Sequence, residues 1–305
     1  MSNQLPDIVK DWTPIIRMVT DALDSEHSRR AYKRALDDFM RWQVDQDYPE
    51  LNRTSVMAYR ANLLEDGKSP SAINQAMSAI RKLATEATDN GFLDPATASG
   101  IVKVKGIKQN GHRAGNWLTL DQAQELIRTP DISTPKGLRD RAILAVMIGA
   151  GLRVSEVAEL TFDHIQMRDA RWVIVDLVGK GNRFRTVPMP SWAKAAIDEW
   201  VTAAGKDEGR IFIATFKGGL LAGDRMTPQA VYYAVKEHSE AAGYSDIAPH
   251  DLRRTFAKLA HKGGAALDQI QLSLGHASIQ TTERYLGVEQ SLTNAPCDVL
   301  GLDLR

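Results

Sequence analysis

The amino-acid sequence predicts a mainly α-helical fold with a small β-sheet, divided into a helical N-terminal domain and a mixed α/β C-terminal domain. Three observations lead to this expectation. Apolar residues recur every three to four positions through most of residues 1–100. A basic, glycine-rich stretch interrupts the pattern near residue 110. One pair of strand-like segments follows it, between segments of helical periodicity.

The N-terminal hundred residues carry helix signals and no strand-like alternation. In the segment 26–43, Leu36 and Phe39 fall on one apolar helical face. Ser69 and Pro70 predict a helix start, because serine is a good N-cap and the missing proline N–H costs nothing in the first turn. We therefore expect a small helical bundle.

Residues 95–120 differ in composition from what precedes them. They contain no acidic residue, several basic residues and four glycines. A segment this polar and rich in glycine predicts an extended, positively charged linker instead of core. We place the linker itself at residues 109–116, between domains at 1–108 and 117–305.

The C-terminal half mixes helices with a hairpin. Thr119 and Gln122 form a capping-box pattern that predicts a helix start. Residues 138–148 are apolar on nearly every face, which indicates a buried helix. Strands are expected at 172–178 and 183–188 around a tight turn. Thr227 and Pro228 start another helix, and further helices are expected at about 250–262, 267–274 and 278–286.

Composition excludes several classes of function. The 38 lysines and arginines equal the 38 aspartates and glutamates, so the chain is not a polycation that coats nucleic acid or acidic membranes. The single cysteine, Cys297, excludes an intramolecular disulfide framework and a cysteine-rich zinc site. No apolar run approaches the ~20 residues of a membrane span, and the N-terminus lacks a signal core, so a cytoplasmic location is expected.

Nucleotide and metal motifs are also missing. Gly179, Lys180 and Gly181 resemble a phosphate loop only briefly, because a glycine follows the lysine where a Walker motif needs serine or threonine after it. The seven histidines include no pair with metal-ligand spacing. We therefore predict no metal and no other cofactor.

What remains is a set of cationic and proton-transfer groups at the ends of predicted helices. Arg153 follows a glycine break, His250 and Arg253 share one face of a helix start, His276 follows a helix end, and Tyr285 lies near the end of the last helix. Each residue alone has an ordinary structural explanation as a cap, an ion-pair partner or core. These single explanations do not account for the occurrence of all five residues in one sequence.

Four segments resemble, in order and separation, the successive motifs of the tyrosine recombinases, the group that includes lambda integrase, Cre and Xer. They read GLRVSEVAEL (151–160), GKGNRFRTV (179–187), HDLRRTFA (250–257) and LGHASIQTTERYL (274–286). Residues 28–42 likewise resemble the first helix of the family's core-binding domain. The visible departure is Arg254, where many relatives carry histidine.

The resemblance implies that Tyr285 attacks a DNA phosphodiester and forms a covalent 3′-phosphotyrosyl link, which a second hydroxyl can reverse without ATP. The resemblance implies five further catalytic residues. Arg153 and Arg253 would bind the phosphate oxygens, and Lys180 would be the general acid. His250 would assist proton transfer at the tyrosine, and His276 would hydrogen-bond the phosphate. For Glu156, support of the active site and a plain ion pair remain equally open.

The same resemblance implies a SAM-like core-binding domain at 1–108 and a catalytic domain with a C-terminal tail at 117–305. It also implies a tetramer that recombines two double-stranded DNA sites. Whether a partner recombinase or accessory protein takes part stays open. Local patches must then bind DNA, and six basic residues are the candidates: Arg29, Arg30, Lys33, Arg34, Lys103 and Lys105. Two rival functions stay open, a monomeric type IB topoisomerase and a non-enzymatic DNA-binding protein.

Overall fold

The computed structural model describes residues 11–48, 50–108, 116–179, 183–216 and 220–287. The chain forms two compact units, residues 1–112 and 113–305. The described part of the first unit is helical, and its helices are α1 (Thr13–Asp21), α2 (Glu26–Asp45), α3 (Arg53–Glu65), α4 (Pro70–Asp89) and α5 (Pro95–Val102).

The N-terminal unit is built around α4, which packs against the other four helices. The predicted start of this helix is confirmed, since the Ser69 side chain accepts the Ala72 N–H at 3.2 Å with Pro70 in the first turn. The apolar face of α2 is confirmed as well. Leu36 and Phe39 are both fully buried in the core of this unit.

The expectation of an extended linker from residue 95 onward is wrong for residues 95–108. Pro95–Val102 is helical with Asp94 as its N-cap, and Val104 is buried in the core of the N-terminal unit. Asn74 fixes the following backbone, because its side chain accepts the Ile107 N–H at 2.7 Å and donates to the Ile107 carbonyl at 3.1 Å. A side chain from another helix thus satisfies the backbone that composition alone assigned to solvent. Residues 109–115 of the predicted linker lie outside the described residues.

The second unit combines helices with two small antiparallel sheets. β1, β2 and β3 form a three-stranded sheet in that order, and β4 pairs with β5. The elements are α6 (Leu120–Arg128), α7 (Pro135–Ala150), α8 (Val154–Glu159), β1 (Ile165–Arg168), β2 (Arg171–Gly179), β3 (Arg183–Pro188), α9 (Ser191–Ala204), β4 (Ala214–Thr215), β5 (Leu221–Ala222), α10 (Pro228–Ala241), α11 (Pro249–Lys262), α12 (Leu267–Leu274) and α13 (Ile279–Leu286).

Helix α7 is the centre of this unit. It is buried on nearly all sides from residue 142 onward, as the apolar run there predicts, and it packs against α9, α11 and α6. The capping box of Thr119 and Gln122, the Thr227 N-cap and the last three predicted helices are also found. The predicted fold class, mainly helical with a small sheet, is confirmed.

The three-stranded sheet lies beside the last helices of the unit. Val178 pairs with Phe184 and Gly179 with Arg183 across the β2–β3 ladder, and β3 packs against α12. Within the described ranges, no helix is long and apolar enough to cross a membrane.

Candidate active site

Arg153 is placed by the abrupt end of α7. Gly151 terminates that helix in the left-handed region, with φ +63°, and a Cβ there would lie 2.6 Å from the Phe256 ring. Only glycine fits both constraints. The chain then turns so that Arg153 is the N-cap of α8, where its backbone N–H donates to Glu156 Oε2 at 2.8 Å.

Arg253 reaches the same point from α11. Its side chain is buried, and its two terminal nitrogens donate to backbone carbonyls, Nη1 to Gly151 at 2.5 Å and Nη2 to Leu274. Burial, and then the nearby positive charge of Arg153, lower the pKa of Arg253 to about 9. The guanidinium remains charged at neutral pH.

The carbonyl of Leu274 draws the two arginines together. It accepts from Arg253 Nη2 and also from Arg153 Nη2, the latter at 3.3 Å. This carbonyl is free because α12 ends there, at Gly275 with φ +62°. Carbonyls in the last turn of a helix have no partner within the helix and carry partial negative charge, so they are good acceptors for cations.

Glu156 is a buried carboxylate that binds two arginines. It accepts from Arg153 Nη1 at 2.6 Å and from both terminal nitrogens of Arg185 at 2.8 Å each. Burial alone would raise its pKa, but the hydrogen bonds and charge of Arg185, with the contribution of Arg153, lower it to about 2. Of the two interpretations that the sequence left open for Glu156, the contacts show the ion pair with Arg153, and Arg185 adds a second ion pair.

Arg185 is the site residue that the sequence analysis missed. It lies on β3 and also donates from Nε to the Ser273 carbonyl at 3.0 Å. A Cβ on Gly275 would come within 2.9 Å of its Cδ. One signal in the sequence pointed to it. Arg185 and Val187 are two residues apart on a predicted strand, so their side chains share one face, and Val187 is fully buried. An arginine on a buried face needs a charged or hydrogen-bonding partner.

Tyr285, on α13, lies between two histidines. Its ring centroid is 5.5 Å from that of His250 and 5.3 Å from that of His276, and both pairs meet edge to face. The phenol donates to the His250 carbonyl at 3.3 Å, while His276 Nδ1 contacts the buried Thr282 hydroxyl at 2.9 Å. The rings are therefore positioned by contacts from α11 and from the turn between α12 and α13.

The protonation states follow from burial and from the surrounding cations. Burial, followed by Arg253 and Arg153, lowers the pKa of His276 to about 4. Desolvation and then Arg254 lower the pKa of His250. Burial raises the pKa of Tyr285 to about 12, and Arg253 and Arg254 oppose that rise. At neutral pH the free site thus holds two neutral imidazoles and a protonated phenol.

The structure brings together five of the six residues predicted for catalysis: Arg153, His250, Arg253, His276 and Tyr285. Lys180 lies outside the described residues, after β2 ends at Gly179 and before β3 begins at Arg183. The six residues predicted to bind DNA all lie in the N-terminal unit. Across the ranges that the structure describes, no group of three or more histidine, cysteine or acidic side chains has the geometry of a metal site.

The sequence matches the phage integrase family over residues 116–291, which include the whole of this cluster. Residues 21–91 match the N-terminal SAM-like domain of phage integrases. The chain belongs to the phage integrase family.

Individual relatives show which members of the phage integrase family this chain resembles. The chain is 28% identical to the tyrosine recombinase XerD of Pseudomonas aeruginosa, over 91% of this chain and 94% of that protein. It is 31% identical to the tyrosine recombinase XerC of Xylella fastidiosa, over 86% of each. This phage integrase family member is therefore a site-specific tyrosine recombinase, as the sequence motifs predicted, and its relatives place it in the Xer-like group.

Solved structures share the fold. A XerH site-specific recombinase bound to palindromic difH substrate, in a post-cleavage complex, superimposes with a TM-score of 0.68 at 18% identity, covering 92% of this chain and 82% of that one. A lambda integrase dimer bound to a COC′ core site gives 0.69 at 16% identity, covering 92% and 96%.

The glycine that ends α12 offers a test of how the arginines are held. Gly275→Ala places a Cβ against Arg185, and Gly205→Ala is the matched control, because Gly205 has φ +60° with nothing within 4 Å. Each change costs about 1–2 kcal/mol of unfolding free energy for the left-handed backbone. We expect Gly275→Ala to lose more stability in denaturant unfolding and to lower the strand-cleavage rate, while Gly205→Ala keeps the rate. Equal cleavage rates in the two variants would contradict this account.

Proposed function

We propose that this recombinase cleaves and rejoins duplex DNA through Tyr285. The phenolic oxygen bonds to the phosphorus of a DNA phosphodiester, the bond to the 5′ oxygen breaks, and the products are a 3′-phosphotyrosine and a free 5′-hydroxyl. The observation that carries the proposal is the convergence of Tyr285, two arginines and two histidines from four separate places in the fold. A strand end that returns its 5′-hydroxyl can reverse the reaction, so no external energy source is needed.

Arg153 and Arg253 bind the reacting phosphate in this proposal. Their guanidinium groups are fixed before substrate arrives, through the carbonyls of Gly151 and Leu274. Each guanidinium has five N–H donors, so donors are left over for the non-bridging oxygens. Fixed cations at the place where negative charge develops stabilise the transition state without reorganisation.

The histidines and Lys180 move the protons. His250 is neutral, and its ring centroid lies 5.5 Å from that of Tyr285, so in this proposal it accepts the phenolic proton as the phosphorus bond forms. His276, also neutral, donates a hydrogen bond to a phosphate oxygen. Lys180 protonates the departing 5′ oxygen, which completes the balance of protons.

The nucleophile is tested by trapping the covalent product. We expect wild-type protein, mixed with DNA that carries its recombination site, to give an SDS-resistant protein–DNA adduct that Tyr285→Phe abolishes. Phenylalanine keeps the ring contacts with both histidines and removes only the attacking oxygen. An adduct that persists in Tyr285→Phe would overturn the assignment, and adduct with relaxation of supercoils but no recombinant product would favour the topoisomerase alternative.

DNA binding is proposed to use the basic residues of the N-terminal unit. On α2, Arg30 pairs with Glu26 and Lys33 with Asp37, each at the solvent-exposed surface. Arg34 and the exposed Lys103 and Lys105 have no ion-pair partner among the residues that the structure describes. Unpaired cations are the better phosphate ligands, since no carboxylate competes for them.

Salt dependence measures these contacts. We expect Arg34→Ala and Lys105→Ala each to weaken binding and to reduce the slope of log affinity against log salt by about one, since each lost phosphate contact releases one counterion fewer. Arg17→Ala is the control, because Arg17 pairs with Asp21 on the solvent-exposed side of α1. If both test variants keep the wild-type slope of log affinity against log salt, Arg34 and Lys105 do not contact DNA phosphates.

Strand exchange is proposed to take place in a tetramer that joins two DNA sites. The lambda integrase and XerH structures bound to their sites support assembly on DNA for proteins of this fold. In our proposal the tail from residue 291 onward docks on a neighbouring subunit. This tail, which includes Cys297, lies outside the described residues.

A further inference from the structure

Arg254 occupies a position against the proposed nucleophile that the reaction scheme above does not use. Its guanidinium carbon lies 5.0 Å from the centroid of the Tyr285 ring, the distance of a cation–π contact. Its side chain is largely buried, with about 15% exposed. A guanidinium that is buried to this extent and lies over the ring of the proposed nucleophile affects that residue more strongly than an exposed surface charge would.

A carboxylate fixes this guanidinium in place. Arg254 Nη1 donates to Asp251 Oδ1 at 3.0 Å, three residues earlier on α11. The other oxygen of Asp251 accepts the Ala248 N–H at 3.1 Å and so caps the same helix. Because one carboxylate holds both the helix start and the guanidinium, Arg254 has little freedom to leave the tyrosine ring.

His250 lies on the same helical face as Arg254, since the two are four residues apart. Both side chains contact Tyr285, His250 edge to face and Arg254 over the ring. The other charged or titratable groups around the imidazole are Asp251 and Arg253 on α11, Arg153 at the start of α8, and His276 beyond α12. Among these, Arg254 is the cation with the largest effect on His250.

We propose that Arg254 is a positioning residue for the cleavage reaction, which holds the Tyr285 ring by a cation–π contact and opposes protonation of His250 by like charge. The inference rests on the proposed function of Tyr285. It assigns a role to the position at which this chain departs from the histidine of many relatives. It also gives the cluster a cation that lies over the Tyr285 ring, separate from the two arginines proposed to bind the phosphate.

The role divides into charge and contact, and two variants separate them. Arg254→Gln removes the charge and the cation–π contact. Arg254→Lys keeps the charge but loses the planar group that stacks on the ring. Arg168→Gln is the control for loss of one positive charge, because Arg168 is exposed on β1 and its guanidinium hydrogen-bonds Gln166.

The charge part is read without any cleavage, by NMR titration of the histidine ring signals, with His250 assigned from a His250→Gln variant. Loss of the like charge raises the pKa of His250 toward its ordinary value in Arg254→Gln. The pKa of His250 stays at the wild-type value in Arg254→Lys and Arg168→Gln. An unchanged pKa of His250 in Arg254→Gln overturns the electrostatic part of the proposal.

The contact part is read from the pH profile of adduct formation. A general base must be neutral to act, so a higher pKa of His250 moves the acidic limb of the profile to higher pH in Arg254→Gln. In Arg254→Lys the limb stays in place, and the rate falls by roughly fivefold at every pH, because a flexible ammonium does not stack on the ring and hold it as the planar guanidinium does. A wild-type rate in folded Arg254→Lys overturns the positioning role, and should Arg254→Gln fail to fold, this variant decides alone.

The two proposals fail in different ways. If the wild type forms no Tyr285 adduct, the proposed function fails, whereas the histidine titration still reports the electrostatic effect of Arg254 on His250. If the adduct forms and is lost in Tyr285→Phe, but Arg254→Gln leaves both the titration and the profile unchanged, the function stands and the role of Arg254 is refuted.

Discussion

The buried Glu156 carboxylate receives hydrogen bonds from Arg153 and from both terminal nitrogens of Arg185, and the arrangement of the site depends on this pairing. Three guanidinium groups, those of Arg153, Arg185 and Arg253, meet here around one carboxylate. A buried cation without a partner costs several kcal/mol, so the cluster would separate or draw in water without Glu156. With it, these four side chains keep an excess of two positive charges, which suits the phosphodiester of the proposed reaction, whose negative charge grows in the transition state.

The ends of two helices supply the remaining partners of these cations. Helices α7 and α12 both end in a left-handed glycine, and the carbonyls freed there accept from Arg253, Arg153 and Arg185. Each guanidinium is thus oriented by backbone whose position the core of the unit fixes. This explains how the negative ends of helices can assemble a cationic site: the carbonyls hold the arginines, and in the proposed reaction the arginines bind the phosphate.

Several of these features were predictable because they depend on local chemistry. The glycine break before Arg153, the helix start at His250 and the helix end before His276 were all read from the sequence, because helix ends have local signals. Arg185 could not be assigned in this way, because its partner Glu156 is 29 residues away and meets it only once β3 packs beside α8 and α12. Residues 95–108 misled for a related reason: their polar composition indicated a linker, whereas Asn74 and the N-terminal core hold their backbone.

The shared hydrogen bonds of Glu156 predict that it and Arg185 act as one unit that positions Arg153. A double-mutant cycle on the rate of covalent adduct formation tests this most directly. The variants are Glu156→Gln, Arg185→Gln and the combination of the two. If the pair is one unit, either change alone breaks it, so the double variant forms adduct no more slowly than the slower single variant. Rate losses that multiply in the double variant would show that the two residues act independently and would contradict the account.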